Sequence, residues 1–165
     1  MTRMLETDTD YMLRALHLAR RAERGGEVPV GAVVISDGQV IGEGWNQNIG
    51  LNDPSAHAEI IALRDAGHKL SNHRLVNATL FVTLEPCIMC LGASIHARIL
   101  RLVYGASDPK TGALGGQLDV QSLARHNHLI EVTAGVLGEE SRQLLRAFFK
   151  ARRGTSTTDT SINQY

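Results

Sequence analysis

The sequence contains very few cysteines. Only two are present among 165 residues, Cys87 and Cys90, and they are three positions apart. A disulfide stabilises a protein mainly by closing a long loop, so a bond between these two would contribute almost nothing. Closely spaced cysteines of this kind are typical of metal sites or of redox pairs in a reducing compartment. The composition therefore excludes a disulfide-stapled secreted scaffold and makes this pair the first candidate for chemistry.

Net charge and long apolar runs are also missing. Lys plus Arg and Asp plus Glu number 17 each, so the formal net charge at pH 7 is +0. Any contact with nucleic acid must then come from a local basic patch. No apolar run approaches the roughly 18 residues of a membrane span. The N-terminal segment also lacks the apolar core of a secretory signal. We therefore expect no membrane span and a cytoplasmic location.

The apolar pattern predicts one α/β domain. The chain has the usual length of a single domain, and its hydrophobic content of 43% is ordinary for a globular core. We predict helices over 8–24, 57–66, 86–98 and 138–153, and strands over 30–35, 40–45, 80–84, 102–106 and 130–133. This order predicts a mixed sheet covered by helices. The domain should span 1–153, and the polar segment 154–165 is expected to be a disordered tail.

Two signals concern the first pair of strands. Asp37-Gly38 is a strong hairpin turn signal between them. Gly42 and Gly44 alternate within the second strand, and glycines inside a strand indicate the close approach of another backbone. We therefore expect a second segment of the chain to lie directly against this strand.

The central pattern is His57-Ala-Glu59 followed by Pro86-Cys87-Ile-Met-Cys90. Cysteines at i and i+3 lie on one helix face, so both sulfur atoms can reach one ion. Near a helix start, the free backbone N–H groups and the helix dipole favour thiolate over thiol. His57 adds a neutral nitrogen ligand. Three protein ligands leave a fourth tetrahedral position for water, which is the arrangement of catalytic zinc sites. The pattern predicts one Zn²⁺ per subunit.

Glu59 is the candidate proton carrier. Residues i and i+2 point to nearly opposite sides of a regular helix, so His57 and Glu59 can serve one site only where the helix has not yet become regular. Zinc with two thiolates and one imidazole is formally neutral, and its water should be less acidic than the water of a tris-imidazole site. A separate base is then needed, and Glu59 can take the proton and return it to the substrate.

Alternative interpretations of the cysteine pair are a structural zinc site and a redox couple. A structural zinc site needs a fourth protein ligand. No further cysteine exists, and the candidate histidines are His68, His73 and His96, none of which has a paired spacing. The combination of His57, Glu59 and Pro86 with the cysteines favours the catalytic interpretation.

At these residues the sequence resembles the zinc-dependent cytidine and adenosine deaminase superfamily, whose known signature is His-x-Glu followed by Pro-Cys-x-x-Cys. The resemblance extends to the bacterial tRNA adenosine deaminases. It is carried over roughly residues 8–153 by Glu27-Val-Pro-Val-Gly-Ala32, Gly42-Glu-Gly-Trp-Asn46, Asp53-Pro-Ser-Ala-His-Ala-Glu59, Thr83-Leu-Glu-Pro-Cys87 and Lys110-Thr-Gly-Ala113. It implies a three-layer α/β/α fold with a mixed five-stranded sheet, a homodimer, and conversion of the wobble adenosine of a tRNA anticodon stem-loop to inosine.

The same resemblance assigns further residues to the substrate side. It implies that Asn46 contacts the target base, that the Ala58 backbone N–H helps to orient the base, and that Asp108 lies near the neighbouring nucleotide. It also implies that the C-terminal helix meets the RNA through Phe149, Arg152 and Arg153. From the residues alone, this basic helix fits a phosphate contact and a solvated helix face equally well. Either of the two aromatic residues Phe148 and Phe149 can belong to the core or stack on a base.

Three functions remain to be weighed. The first is hydrolytic deamination of adenosine in tRNA, in which the target base leaves its stack before reaction. The second is deamination of a free base or nucleotide, such as guanine, cytidine or deoxycytidylate. The third is a non-enzymatic binding module that zinc stabilises, in which Glu59 could be replaced without loss of function.

Overall fold

The computed structural model describes residues 7–123 and 125–155. Within these ranges the helices and strands alternate much as the pattern predicts. In chain order they are α1 (Asp8–Arg24), β1 (Gly31–Ser36), β2 (Gln39–Trp45), α2 (Asn48–Leu51), α3 (Ala58–Leu70), β3 (Thr79–Leu84), α4 (Ile88–His96), β4 (Arg101–Ala106), α5 (Val120–Leu123), β5 (Glu131–Ala134) and α6 (Gly138–Thr155).

The strands form one mixed sheet in the order β2-β1-β3-β4-β5. β1 is antiparallel to both β2 and β3, while β3, β4 and β5 are parallel. The predicted five-stranded α/β fold is confirmed. The pairing places the start of β1 and the ends of β2, β3 and β4 together, and we call this the site end of the sheet. Polar residues that follow those strand ends meet there, as in other α/β folds.

Alternation along the strands divides the core between the two faces of the sheet. Val34 and Val82 face a cluster that includes the buried side of α3. Val33, Phe81 and their neighbours face a second cluster built on α1. These strands are buried on both faces, so they read as continuous apolar runs in the sequence.

The glycines of β2 allow α3 to lie directly on the strand. A Cβ atom at Gly44 would lie 2.2 Å from the Ala58 carbonyl oxygen, and one at Gly42 would lie 2.3 Å from that of Ala62. The expected close approach of another backbone is therefore confirmed, and the segment is α3. This contact presses the N-terminus of α3 against the end of β2, which is the site end of the sheet.

The opposite end of the sheet is tied to the start of α1. The Arg101 guanidinium donates two hydrogen bonds to the Asp8 carboxylate, at 2.8 and 2.6 Å. Thr7 caps α1, and its hydroxyl oxygen accepts a hydrogen bond from the Asp10 N–H. This ion pair lies far from the site end because Arg101 begins β4.

α6 packs over the end of β4 and continues beyond the predicted end of the domain at 153. A Cβ atom at Gly105 would lie 2.6 Å from the Ser141 hydroxyl, so only a glycine admits the helix this closely. Gly154 and Thr155, which the sequence assigns to the tail, still belong to α6. The rest of the predicted tail, residues 156–165, lies outside the described residues. None of the described helices combines the length and apolar content needed to cross a bilayer.

Candidate active site

His57 is the N-cap of α3, with extended backbone angles of φ −71° and ψ 153°. The helix therefore becomes regular only from Ala58 onward. Since His57 stands outside the helical spiral, its ring and the Glu59 side chain are not forced to opposite sides. This local irregularity is what the His-x-Glu spacing requires.

Cys87 occupies the matching position in the second metal-ligating segment. It is the N-cap of α4, with φ −75° and ψ 174°, and the helix begins at Ile88. The predicted start at Pro86 is two residues too early, because Cys87 remains extended and the helix begins only after it. Cys90 follows in the first turn and is fully buried. The positive ends of two helix dipoles thus converge on one place, which favours ionised thiols there.

The structure brings the three predicted ligands together. His57 Nδ1 lies 3.7 Å from Cys87 Sγ and 3.5 Å from Cys90 Sγ. Tetrahedral zinc with bonds of about 2.3 Å to sulfur and about 2.0 Å to nitrogen places such atoms about 3.6 Å apart. Both nitrogen–sulfur distances therefore match those of a tetrahedral zinc site.

The ionisation of the two thiols supports the same conclusion. The hydrogen bond from the Cys90 thiol lowers the pKa of Cys87 to about 4. The Cys87 thiolate and burial in turn raise the pKa of Cys90 above its ordinary value. Two thiols this close cannot both ionise unless a cation compensates their charge, and a divalent metal supplies that charge.

A fourth protein ligand is not found among the described residues. The one group of His, Cys, Asp and Glu side chains in 7–123 and 125–155 that is arranged to hold a metal consists of His57, Cys87 and Cys90. The histidines considered as a fourth ligand, His68, His73 and His96, line a groove between α3 and α4 instead. Three ligands with an open position favour a catalytic site over a structural one.

Glu59 is buried beside these ligands, with 4% of its surface exposed. Burial raises the pKa of Glu59 to about 7, because the charged carboxylate loses its hydration. A carboxyl group with a pKa near neutrality can both accept and donate a proton at physiological pH. This is the property that general acid–base catalysis demands.

Asn46 and Ala58 form a connected pair at the mouth of the site. The Ala58 N–H donates to Asn46 Oδ1 at 2.9 Å. The Asn46 side chain therefore caps the first free N–H of α3, and Asn46 itself is buried. The Ala58 N–H that the resemblance assigns to the base is here engaged by Asn46.

Asp108 lies on the loop of residues 107–116, which follows β4 at the site end. Its Oδ1 accepts hydrogen bonds from the Lys110 and Thr111 N–H groups, and its Oδ2 accepts one from the Thr111 hydroxyl at 2.6 Å. Burial alone would raise the pKa of Asp108, but these hydrogen bonds lower it overall. The carboxylate thus shapes its own loop, a role that the sequence analysis did not foresee.

The aromatic pair of α6 divides between core and surface. Phe148 is buried, whereas Phe149 is 44% exposed and meets it edge to face. Arg152 lies over the Phe148 ring and donates to the Gly26 carbonyl oxygen at 2.7 Å. Arg153 is exposed on the last turn. Arg152 therefore joins the end of α6 to the α1–β1 connection, and Phe149 and Arg153 lie exposed on the same part of α6.

Two buried carboxylates at the site end escaped the sequence analysis. Glu27 Oε1 accepts hydrogen bonds from the Ile49 and Gly50 N–H groups, which belong to the segment that follows Asn46. Glu85 accepts three hydrogen bonds from the 107–116 loop. Both stand within motifs that carry the family resemblance, Glu27-Val-Pro-Val-Gly-Ala32 and Thr83-Leu-Glu-Pro-Cys87, but these motifs do not predict which N–H groups the carboxylates bind.

Comparison with known proteins agrees with this geometry. The family profile of the MafB19-like deaminases matches residues 6–153. A tRNA-specific adenosine deaminase of Haemophilus influenzae is 55% identical over 90% of this chain and 86% of its own length. A solved structure from work on A-to-I editing by tRNA:A34 deaminases at the wobble position is 45% identical, with a TM-score of 0.78 over 83% of this chain and 99% of that one.

A less similar solved structure shares the same fold. The guanine deaminase from Nitrosomonas europaea is 28% identical, with a TM-score of 0.73 over 88% of this chain and 86% of that one. The higher identity to the tRNA enzymes, the signature residues and their placement agree with one another. The chain belongs to the tRNA-specific adenosine deaminase family.

Proposed function

We propose that this protein deaminates adenosine to inosine at the wobble position of a tRNA anticodon, by hydrolysis. The observation that carries the chemistry is the clustering of buried Glu59 with three metal-ligating side chains at converging helix starts. The substrate assignment is supported by the relative at 55% identity, which acts on tRNA.

His57, Cys87 and Cys90 are proposed to hold one zinc ion per subunit. Zinc bound there supplies a Lewis acid that polarises the attacking water. Glu59 accepts a proton from this water as the water attacks C6 of adenine. Glu59 then delivers that proton to the adjacent ring nitrogen. In a second transfer, Glu59 carries the proton of the new C6 hydroxyl group to the amino group, which leaves as ammonia. Burial raises the pKa of Glu59 to about 7, so the carboxyl group can both accept and release a proton at neutral pH.

Asn46 is proposed to recognise the target base through its amide nitrogen. Its carbonyl oxygen is held by the Ala58 N–H, which leaves the NH₂ group to donate to a ring nitrogen acceptor. Ala58 therefore orients the base indirectly, by fixing Asn46. The hydrogen bond also fixes the distance between Asn46 and the start of α3, where His57 lies.

The RNA outside the target base is proposed to meet the 107–116 loop and the end of α6. Asp108 lies near the neighbouring nucleotide on this proposal. Phe149 offers an exposed ring for stacking, and Arg152 and Arg153 offer cations to phosphate oxygens. An anticodon loop presents bases that leave their stack at little cost, which suits a buried site.

We also propose that the enzyme works as a homodimer in the cytoplasm. The family resemblance supports both statements, and the exposed Ile88 and Met89 side chains on α4 offer apolar surface for a second subunit. Light scattering at micromolar concentration tests the assembly. A mass of about two chains agrees with the proposal, and a monomer under assay conditions contradicts it.

Guanine deamination is the second candidate, because the Nitrosomonas europaea enzyme shares the fold. The decisive experiment measures ammonia release from an anticodon stem-loop and, in parallel, from free adenosine, cytidine and guanine. The proposal expects inosine in the stem-loop and little reaction with the free compounds. Reaction with a free base alone would overturn the tRNA assignment while leaving the deaminase chemistry intact.

A further inference from the structure

Glu85 is a buried carboxylate that the proposed chemistry does not use. It is 2% exposed and directly precedes Pro86 and the metal-ligating Cys87. Its Oε2 accepts a hydrogen bond from the Asp108 N–H at 2.9 Å. Its Oε1 accepts from the Leu114 N–H at 2.9 Å and from the Gly116 N–H at 2.8 Å. All three donors belong to the 107–116 loop.

The loop is folded closely around this one side chain. A Cβ atom at Gly112 would lie 2.4 Å from the Glu85 carboxyl carbon, and one at Gly116 would lie 2.4 Å from Oε2. The Ala113 N–H adds a bond to the Pro86 carbonyl oxygen at 2.9 Å. Burying a carboxylate costs free energy unless it is hydrogen-bonded, and here both oxygens are satisfied by the loop. The loop has no comparable anchor elsewhere among its described side-chain contacts.

The placement of Glu85 links two parts of the site. Its own backbone leads within two residues to Cys87, while its carboxylate holds both ends of the loop that carries Asp108. A shift of Glu85 would therefore change the distance between Asp108 and the metal-ligating residues. The Asp108 carboxylate cannot perform this task, because it bonds only within the loop in its described contacts.

We propose that Glu85 is a positioning residue that sets the 107–116 loop against the metal-ligating segment and thereby determines the affinity for the nucleotide beside the target base. This inference rests on the proposed function, since it needs an RNA substrate that reaches Asp108. It assigns Glu85 no contact with the substrate. Its effect should appear mainly in KM, because the proton carrier and the metal ligands stay in place.

The first variant is Glu85→Gln, which keeps the size of the side chain. One carbonyl oxygen can still accept from Leu114 and Gly116, but the amide NH₂ cannot accept from the Asp108 N–H. Losing that charge-assisted bond should raise KM for the anticodon stem-loop about tenfold. The kcat value should change by less than about threefold, and bound zinc should stay at the wild-type level.

A second variant displaces the 107–116 loop by a substitution in the loop itself. Gly116→Ala leaves Glu85 unchanged but places a methyl group against Oε2 and the Asp108 carbonyl oxygen. It should raise KM in the same way. In an Asp108→Ala background, Glu85→Gln should add little further increase, because both substitutions act through one loop and their effects are then not additive.

The matched control is Asp8→Asn, which removes an ion pair at the opposite end of the sheet. It should lower the Tm without changing KM. Amide hydrogen exchange provides a readout that is independent of activity. The amides of the 107–116 loop should exchange faster in Glu85→Gln than in the wild type and should be unaffected in Asp8→Asn.

The outcomes separate the two proposals. A wild-type protein that leaves the stem-loop unreacted overturns the proposed function, and the exchange experiment still tests the anchoring. A wild-type KM in Glu85→Gln and Gly116→Ala, with active wild-type enzyme, overturns the positioning role. Unchanged exchange of the loop in Glu85→Gln also overturns it. Loss of kcat and zinc together, with KM unchanged, contradicts it as well.

Discussion

The contact between β2 and α3 makes Gly44→Ala a sharp test of how the fold positions the site. The added Cβ atom would lie 2.2 Å from the Ala58 carbonyl oxygen and 2.6 Å from the Ala62 nitrogen. To reach an ordinary separation, the first turn of α3 must move by about 1 Å, and such overpacking costs about 1–3 kcal/mol. In a chain of this size each kcal/mol lowers the Tm by about 2–4 °C.

The activity of Gly44→Ala should fall more steeply than its stability. The displaced turn directly follows His57 and contains Glu59, and a misplacement of about 1 Å can reduce the rate about 100-fold. Single-turnover deamination of an anticodon stem-loop measures this loss, and a thermal melt measures the stability change. Both experiments use the zinc-loaded enzyme, and the activity assay is run well below the Tm of the variant.

Two matched glycine variants serve as controls. In Gly42→Ala the added Cβ atom would lie 2.3 Å from the Ala62 carbonyl oxygen, beyond the first turn of α3. This substitution should therefore reduce stability more than activity. Gly92 lies within α4, and an added Cβ atom would meet no described atom of the same subunit outside that helix within 4 Å, so Gly92→Ala should be neutral for the stability of the subunit or raise it by up to about 1 kcal/mol. Wild-type stability and activity in Gly44→Ala would refute the reasoning.

Three further predictions concern single side chains. Asp8→Asn should lower the free energy of unfolding by up to about 1 kcal/mol at pH 7, as for a partly exposed ion pair. The Arg101 hydrogen bonds lower the pKa of Asp8, so the ion pair stabilises the fold above the ordinary pKa of Asp8, and this stabilisation disappears as the pH falls through the lowered pKa. The Tm values of the wild type and Asp8→Asn should therefore converge between pH 7 and pH 2. A constant difference in Tm over this range would contradict the prediction. Asn46→Ala should reduce kcat/KM about tenfold or more. It should also lower the free energy of unfolding by about 1–3 kcal/mol, because the Ala58 N–H loses its acceptor. Equal stability of the wild type and the variant in chemical denaturation would contradict that contact. Cys87→Ser should lose bound zinc by elemental analysis, since a hydroxyl does not ionise at neutral pH, and stoichiometric zinc with full activity would overturn the ligand set.

Much of the fold follows from local sequence signals. β1 and β3 are recognisable because strands buried on both faces give unbroken apolar runs. The Asp37-Gly38 turn follows from its residues, both of which have positive φ values. The exact helix starts are less predictable. Pro86 looks like the first residue of α4, yet the helix starts at Ile88, because Cys87 stays extended to face the other ligands.

The candidate site divides in the same way. The metal-ligating residues are visible in the sequence because their chemistry depends on residue type and short spacing. The anchoring roles of Glu85 and Glu27 are not visible, because they depend on which distant backbone N–H groups surround the carboxylates after folding. Asp108 shows the same limit. The family resemblance places Asp108 near a nucleotide, but only the folded loop reveals that the carboxylate bonds within its own turn.

The central claim is that Glu59 moves protons for deamination at a site built by His57, Cys87 and Cys90. The most direct measurement is inosine formation in an anticodon stem-loop by wild-type protein and by Glu59→Gln, each with its bound zinc quantified. The account predicts inosine at the wobble position with the wild type, and a loss of at least about 100-fold in kcat with Glu59→Gln, whose zinc content and fold remain intact. Full activity of a zinc-loaded Glu59→Gln protein would contradict it.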